Sequence, residues 1–337
     1  MILDTNNTSY QRNFMITEQQ KKIYTTHACD GVSFDDLVKK ANEIYFDIEP
    51  EMYDEKHPEI KKFEADRWDD LAKRYFITGK SLRVLDVGCG SGFVADHVCS
   101  KLKKEDIFVF TDISKEMLDY CENRFRDKFK CKLEFTTLNS ETLDFPDNYF
   151  DIVTMNSVLH HIPDTKKILQ EINRVLKIGG NLIIAHEVNS AFFKHKILWT
   201  NYKILRILSG KKAFFESFFK HLGLINLYTR YYKSNDISYY EMLYEKVNKE
   251  LVNQKIICKP LSPSKMGLIM ELYSSTGFDI DNLANNTSNL VLREKKTYNH
   301  LNDNPTIWIL KLYEKVLSVL FPNSGKSFIA VLQKSLI

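Results

Sequence analysis

The sequence V-L-D-V-G-C-G-S-G at residues 84–92 decides the fold. Val84, Leu85 and Val87 have the apolar character of a buried strand, and glycines follow at alternate positions, Gly88, Gly90 and Gly92. The next stretch, F-V-A-D-H-V-C-S at residues 93–100, has helical spacing. A strand, a tight turn and a helix are therefore predicted, because glycine reaches such turn angles at low energy and leaves the backbone open to a ligand.

An acidic residue follows this turn where a nucleoside-binding site needs one. The segment I-F-V-F-T-D, residues 107–112, is predicted as a second strand that ends at Asp112. A carboxylate in that position can accept hydrogen bonds from both hydroxyls of a ribose. The dinucleotide fingerprint G-x-G-x-x-G does not fit, since its third glycine falls at Phe93. The pattern is instead D-x-G-x-G-x-G, which begins at Asp86.

With these two segments the chain resembles the class I S-adenosylmethionine-dependent methyltransferases, well over residues 80–190 and loosely over 266–337. The resemblance implies S-adenosyl-L-methionine as the cofactor, with the glycine loop and Asp112 holding its opposite ends. It also implies that Ile113 and Met117 contact the adenine. Asn139 stands where the family usually has an acidic partner for the adenine amino group. The residues predicted to bind the cofactor are Asp86, Gly88, Cys89, Gly90, Gly92, Asp112, Ile113, Met117, Asn139, Ser140 and Asn156.

Strands and helices alternate through the middle of the chain, which predicts an α/β fold with a doubly wound, Rossmann-like, seven-stranded and mostly parallel sheet. The sixth strand is expected after Gly277 and the seventh in F-I-A-V-L-Q-K, residues 328–334. Ligands of such sheets lie beyond the carboxyl ends of the strands. Six candidate residues follow such ends: Gly88, Asp112, Asn139, Asn156, His160 and His161.

Four segments are predicted along the chain. Residues 1–79 form an N-terminal arm and helical cap, residues 80–189 the cofactor-binding core, residues 190–265 a basic, aromatic-rich helical lid insertion, and residues 266–337 complete the core. A further helical insertion is predicted at about 287–325. In the families that this chain resembles, such a helical segment caps the cofactor and lines the substrate pocket, which implies four candidate pocket residues: Tyr45, Tyr53, His57 and Trp68.

Methyl transfer from a sulfonium is an in-line displacement, so the protein mainly aligns the reacting groups and excludes water. A base helps when the acceptor is a hydroxyl, and histidine is the usual choice. His160 and His161 follow the fourth strand, where the matching pair in small-molecule methyltransferases, including those of quinone biosynthesis, faces the active site. His161 is the first candidate and His160 the second, and ordering of the loop by hydrogen bonding is the alternative role for either.

Composition restricts the partners. A net charge of +3 over 337 residues is too small to require a nucleic acid, and the N-P-P-Y type signature of base-modifying methyltransferases is missing after the fourth strand. The six cysteines show no C-x-x-C pair, which speaks against a zinc site or disulfide framework, so no metal and a reducing cytoplasm are expected. No apolar stretch reaches the roughly 18 residues of a membrane span.

Two charged regions have more than one interpretation. Residues 47–70 hold ten carboxylates and four Lys or Arg, which favours a solvated acidic face. Residues 191–233 hold nine Lys or Arg, one acid and many aromatics, which suits contact with an anionic membrane, an acidic or prenylated substrate, or the acidic helices of the cap. A later helical stretch, residues 307–321, is apolar around most of its circumference and needs burial in the lid, in a homodimer or in lipid.

The leading hypothesis is therefore a methyltransferase that acts on a small-molecule acceptor, of the natural-product, saccharide or lipid-like kind. Two alternatives stay open. One is a non-catalytic adenosine-ligand binder or membrane-associated regulator, because the basic aromatic region is prominent and no base is certain from sequence. The other is a nicotinamide-dependent oxidoreductase, against which Phe93 counts.

Overall fold

The computed structural model describes residues 17–48, 50–56, 58–77, 79–138, 142–209, 237–274, 276–283, 289–301 and 308–336. A seven-stranded sheet lies at its centre. The strands are β1 (Arg83–Val87), β2 (Ile107–Asp112), β3 (Lys132–Thr137), β4 (Phe150–Asn156), β5 (Leu176–Val188), β6 (Leu290–Tyr298) and β7 (Ser327–Lys334).

The strand order is β3-β2-β1-β4-β5-β7-β6. Strands β1 to β5 pair in parallel, whereas β7 runs antiparallel to both β5 and β6. The order reverses between β1 and β4, and ligands of such sheets bind beside that reversal. The predicted α/β fold with a mostly parallel, seven-stranded sheet is confirmed.

Helices cover both faces of the sheet and continue beyond it. They are α1 (Glu18–His27), α2 (Phe34–Ile48), α3 (Pro50–Lys56), α4 (Pro58–Tyr75), α5 (Phe93–Val98), α6 (Lys115–Phe125), α7 (Thr165–Val175), α8 (Ser190–Lys194), α9 (Lys196–Ser209), α10 (Ile237–Asn253), α11 (Pro263–Met270), α12 (Ile280–Leu283) and α13 (Trp308–Leu320). Short 3₁₀ turns lie at Cys99–Lys101 and Leu159–His161.

The central strands are apolar because helices bury them from both sides. Val84 and Phe108 belong to the core beneath α4, α5 and α6, and Leu85 and Val109 belong to the core beneath α7. Ser114 caps α6 by accepting a hydrogen bond from the Met117 N–H. Five apolar positions recur at helical spacing in this part of the sequence, and all are fully buried. Four lie in α7, namely Ile168, Leu169, Ile172 and Val175, whereas Leu176 begins β5.

Two elements differ from the sequence prediction. The stretch L-I-M-E-L-Y-S-S-T-G-F at residues 268–278 predicts a helix closed by Gly277, but the helix ends at Met270, and Gly277 instead has φ +65° where its backbone packs beside that of Asn189. A Cβ there would lie 2.6 Å from the Asn189 carbonyl carbon, so the close approach of the two backbones requires glycine at this position. Strand β6 also lies inside the range 287–325, which was predicted as a helical insertion, because pairing with β7 takes these residues into the sheet.

The helical cap contains α2, which packs against a helix from a distant part of the chain. Leu37, Val38 and Ala41 of α2 pack with Leu243 and Val247 of α10, so helices from the N-terminal segment and from the lid segment share one core. The predicted domain boundaries stay a prediction, since a shared core does not mark where one unit ends.

The basic segment 191–233 is described as far as Ser209, and residues 210–233 lie outside the described residues, as does the N-terminal arm up to residue 16. In its described part, Phe192 and Leu198 are buried against Leu301 and against Leu317 of α13. The described part of this segment therefore packs against α13, and the interpretation that pairs the segment with the acidic helices of the cap stays a prediction. No described helix is both long enough and apolar enough to cross a bilayer.

Candidate functional site

Glycines shape the loop after β1. Gly88 and Gly92 have φ of +69° and +85°, where any side chain is strained. A Cβ at Gly88 would lie 2.6 Å from Val158 Cγ2, and a Cβ at Gly92 would clash with the ring of Phe125. At Gly90 a Cβ would meet no atom within 4 Å, so this part of the loop presents its backbone to open space.

Asp112 ends β2 and is bonded to that loop. Its Oδ2 accepts a hydrogen bond from the Gly90 N–H at 2.9 Å, and its Oδ1 accepts one from the Ser114 N–H at 2.9 Å. Burial raises the pKa of Asp112 to about 6, although these hydrogen bonds favour the ionised form. Each carboxylate oxygen has further lone pairs, so the side chain can still accept donors from a ligand.

A cavity of about 930 Å³, including its open mouth, lies between the sheet edge and the cap. The loops after β1, β2 and β4 form one side, and α2 and α3 form the other. The lining residues are Lys39, Asn42, Phe46, Tyr53, Val87, Gly88, Cys89, Gly90, Ser91, Phe93, Val94, Asp112, Ile113, Leu138, Asn156, Ser157, Val158, His161, Ile162 and Pro163.

Two carboxylates of the cap accept hydrogen bonds from the loops that follow β1 and β2. The Ser114 hydroxyl donates to Asp47 Oδ1 at 2.7 Å, and the Ser91 hydroxyl donates to Asp54 Oδ1 at 2.5 Å. Arg124 of α6 donates both to the Ser91 carbonyl, at 2.6 Å, and to Asp54. Two turns of the cap are thereby fixed directly above the glycine loop and the end of β2.

The prediction of a solvated acidic face at residues 47–70 is therefore wrong for the two aspartates just described, and also for Glu64. Glu64 is fully buried, accepts from the Tyr298 hydroxyl at 2.9 Å, and pairs with His186 Nδ1 at 3.0 Å. These three acidic residues make contacts between the cap and the core, because donors on the core replace water as their partners, whereas Asp66, Asp69 and Asp70 are exposed.

Of the ring-bearing residues predicted to line the pocket, the structure places one on the cavity wall and two in the core. Tyr53 lines the cavity, whereas Tyr45 is buried in the core shared by α2 and α10. Trp68 is fully buried, and its Nε1–H donates to Asn156 Oδ1 at 2.8 Å. It thus orients an amide that does line the cavity. His57 lies outside the described residues.

His161 lines the cavity with one ring nitrogen already engaged. Its Nδ1 lies 2.8 Å from the Met270 carbonyl oxygen, so Nδ1 carries the proton and Nε2 keeps its lone pair in the neutral ring. Burial, and then the neighbouring His160, hold the pKa of His161 well below its usual value. His161 is therefore neutral at pH 7 and able to accept a hydrogen bond or a proton.

His160 is held by a buried acid. Its Nδ1 lies 2.8 Å from Glu187 Oε2, and the Glu187 Oε1 accepts from the N–H groups of Val158 and Leu159 at 2.7 and 2.6 Å. Burial opposes the charged imidazole, but attraction to Glu187 outweighs it and raises the pKa of His160. His160 does not line the cavity and orders the loop, which is the alternative role considered for it above.

The lowered pKa of His161 predicts a pH effect on stability. A base that binds its proton less well when folded gives stability that is present above its unfolded pKa, about 6.5, and is lost as pH falls below that value. We expect the Tm of the wild type to fall more steeply between pH 6.5 and 5 than that of His161→Asn, whose amide can still donate to Met270. Thermal unfolding over this range measures it, and parallel curves would contradict it.

The structure brings together seven of the predicted site residues on the cavity wall: Gly88, Cys89, Gly90, Asp112, Ile113, Asn156 and His161. Four other described candidates are not part of that wall: Asp86, Gly92, Met117 and His160. Two candidates lie outside the described residues, Asn139 and Ser140.

Asp86 is buried in β1 beneath the loop. Its Oδ1 accepts from the Thr154 hydroxyl at 2.7 Å, and its Oδ2 has no hydrogen-bond partner among the described residues. Burial raises the pKa of Asp86 to about 7, against the effect of the Thr154 hydrogen bond. A buried acceptor without a donor marks a position where a further donor or a positive charge is favourable.

Sequence reasoning missed the contribution of Glu187 and of the cap residues Asn42, Phe46 and Asp54. Glu187 follows the rule that identifies Asp112, since it lies at the carboxyl end of a parallel strand, and that signal could have found it. The cap residues carry no such signal, because their position depends on how α2 and α3 pack over the sheet.

The sheet order, the glycine loop and the carboxylate ending β2 define the class of Rossmann-like proteins that bind an adenosine-containing ligand. Comparison with known proteins narrows this class. Residues 85–184 match the family model described as "Methyltransferase domain". This part of the chain belongs to the class I S-adenosylmethionine-dependent methyltransferases, which confirms the family predicted from the sequence, and the family implies use of that cofactor.

Curated relatives match over part of their length. The chain is 33% identical over 140 residues to the ubiquinone/menaquinone biosynthesis C-methyltransferase UbiE of Xanthomonas oryzae pv. oryzae, covering 40% of this chain and 55% of that protein. It is 36% identical over 113 residues to UbiE of Xylella fastidiosa, covering 32% and 45%. The chain thus spans about half the length of the curated relatives it matches. A solved S-adenosylmethionine-dependent methyltransferase from Aquifex aeolicus is 23% identical, with a TM-score of 0.36 and coverage of 41% of this chain and 72% of that one.

Proposed function

We propose that the protein is an S-adenosylmethionine-dependent methyltransferase with a small-molecule acceptor. One observation carries the proposal: the glycine loop, the carboxylate of Asp112 and the imidazole of His161 line a single cavity under the helical cap. A binding protein needs the first two groups, whereas a transferase also needs an acceptor position beside them.

The residues present fit this cofactor. Asp112 has free lone pairs toward the cavity and suits the ribose hydroxyls, while Ile113 and Leu138 give an apolar wall that suits the adenine. The open backbone at Gly90 leaves room for the amino-acid end. When bound, S-adenosyl-L-methionine supplies a methyl group activated by its sulfonium.

The chain itself aligns the acceptor and excludes water. Phe46 and Tyr53 from the cap face Val158 and Ile162 across the cavity, so the space for the acceptor is largely apolar. The neutral His161 offers its Nε2 as a hydrogen-bond acceptor or base for a hydroxyl or an acidic C–H of the acceptor.

The acceptor class follows from this wall and from the relatives. The curated relatives are named as C-methyltransferases of quinone biosynthesis, and apolar and aromatic side chains suit an acceptor with an apolar ring. We therefore favour a ring-bearing, lipid-like small molecule over a saccharide or a nucleic acid. The six cysteines are free thiols, which agrees with the reducing cytoplasm that we retain as part of the proposal.

The test is product formation. The full chain is incubated with S-adenosyl-L-methionine and a panel of hydroxylated aromatic and quinol acceptors, and S-adenosylhomocysteine and the methylated acceptor are measured by mass spectrometry. We expect both products with the wild type and at least tenfold less with His161→Ala. Tight cofactor binding without product from any acceptor would favour the non-catalytic binder. Micromolar binding of a nicotinamide dinucleotide, without binding of the sulfonium, would favour the oxidoreductase.

A further inference from the structure

Two neighbouring helices, α9 and α13, expose several large apolar side chains on the sides that face away from the core. Leu317 of α13 is buried against Leu198 of α9, so both helices already have a packed inner side. Their outer sides remain apolar. We call the exposed set the α9–α13 face: Ile197, Ile204, Leu312, Tyr313, Val316, Val319 and Leu320.

These residues form one continuous surface. Leu312, Val316 and Val319 recur at spacings of four and three, which places them in a stripe along one side of α13. On α9, Ile197 and Ile204 are seven residues apart and share a side. The two stripes adjoin, because the Asn201 side chain of α9 donates to the hydroxyl of Tyr313 at 3.0 Å.

The most exposed of these residues are Val319 at 74% and Leu320 at 62%. Large apolar side chains that are clustered rather than scattered mark an interaction surface, because each of them is unfavourable in water. The helix stretch at 307–321 was predicted to be buried in the lid, in a dimer or in lipid. Its outer side is exposed, so the described residues of the lid do not bury it.

The exposed charged side chains that the structure describes on α9 and α13 are all positive. Lys311 and Lys315 are exposed on α13, and Lys196 and Lys203 are exposed on α9. The single acid of α13, Glu314, is turned inward, where its carboxylate accepts from the backbone N–H groups of His300 and Leu301 at 2.7 and 2.6 Å. Helices α8 and α9 contain no acid in their sequences.

We propose that the α9–α13 face docks on the surface of an anionic lipid bilayer. Apolar side chains of an amphipathic helix enter the boundary between headgroups and acyl chains, and flanking lysines extend to anionic headgroups. A second copy of the chain fits less well, since a two-fold contact pairs this face with itself and the described part of the face has no exposed acid to pair with Lys311 and Lys315. The contact is peripheral and independent of the proposed methyl transfer.

The experiment is sedimentation of the full chain with vesicles, without cofactor. We expect partition onto phosphatidylglycerol/phosphatidylcholine vesicles and at least tenfold weaker partition onto pure phosphatidylcholine. Raising NaCl from 0.1 to 0.5 M should weaken binding to the anionic vesicles roughly tenfold. The triple variant Leu312→Glu, Val316→Glu and Val319→Glu should lose binding at least tenfold, and so should the pair Lys311→Glu and Lys315→Glu.

A matched triple variant is the control. Ile77, Ile178 and Leu336 are 60%, 55% and 76% exposed and do not belong to the α9–α13 face. Changing these three to Glu adds the same charge and should keep vesicle binding within about twofold of the wild type. Circular dichroism verifies that each variant folds.

Three outcomes would overturn the proposal: no binding of the wild type to anionic vesicles, equal loss in the control triple, or unchanged binding in the face variants. A fourth would be a homodimer, seen by light scattering, that the face triple dissociates.

Discussion

Replacing Asp112 with alanine is expected to weaken binding of S-adenosyl-L-methionine by roughly 100-fold or more, since hydrogen bonds to a charged group contribute about 1.5–3 kcal/mol each. The carboxylate has two functions in the structure. It presents acceptors to the cavity, and it holds the glycine loop through the N–H of Gly90. Alanine removes both. Isothermal titration calorimetry with the full chain at pH 7.5 measures the change.

The conservative variant Asp112→Asn separates these functions. Its amide oxygen can still accept from a backbone N–H, but it lacks the charge and one acceptor, so we expect intermediate affinity. Because the pKa of Asp112 is raised to about 6, the wild-type carboxyl is mostly ionised at pH 7.5 and mostly protonated at pH 5. Wild-type affinity should therefore fall roughly tenfold between those pH values, whereas the Asn variant should change little. Unchanged affinity in Asp112→Ala, with its Tm preserved, would show that Asp112 does not bind the cofactor.

Much of the fold was predictable because the pattern within residues 84–112 is local. Glycines at alternate positions after an apolar run specify a strand and a tight turn, and the carboxylate at the end of the next strand lies beside that turn in any parallel pair. The structure has this arrangement, with Cys89 N–H bonded to the Thr111 carbonyl at 2.9 Å. The glycine loop and Asp112, which are the two ends of the predicted cofactor site, therefore line one cavity, because parallel pairing places the ends of β1 and β2 side by side.

The rest of the site depends on contacts between distant parts of the chain. Asp54 is one of ten acids in its run, and only the packing of α3 above Ser91 distinguishes it from the others. Trp68 follows the helical pattern of a core residue, and nothing in that pattern indicates its hydrogen bond to Asn156. Such contacts join residues more than thirty positions apart, and a single sequence contains no record of them.

The largest expected effect outside the cofactor contacts is that of Glu187. This fully buried carboxylate accepts from the backbone of Val158 and Leu159 and from the ring of His160. In Glu187→Ala, two buried N–H groups and an imidazole lose their acceptor, so we expect a loss of about 3 kcal/mol or more of the free energy of unfolding. The rate of methyl transfer should fall with it, because the same loop carries His161. Chemical denaturation and the product assay measure the two effects.

Glu187→Gln distinguishes anchoring of the loop from control of charge. Its amide oxygen can accept from both backbone N–H groups, so the loop should stay ordered, but attraction to the protonated His160 is lost. A histidine whose pKa is raised on folding gives stability that is fully present below about pH 6.5 and is lost as pH rises through the folded pKa. The Tm difference between wild type and Glu187→Gln should therefore be large at pH 5.5 and small at pH 8.5. A difference that does not vary with pH would show that Glu187 acts on the loop alone, and a stable, active Glu187→Ala would exclude both functions.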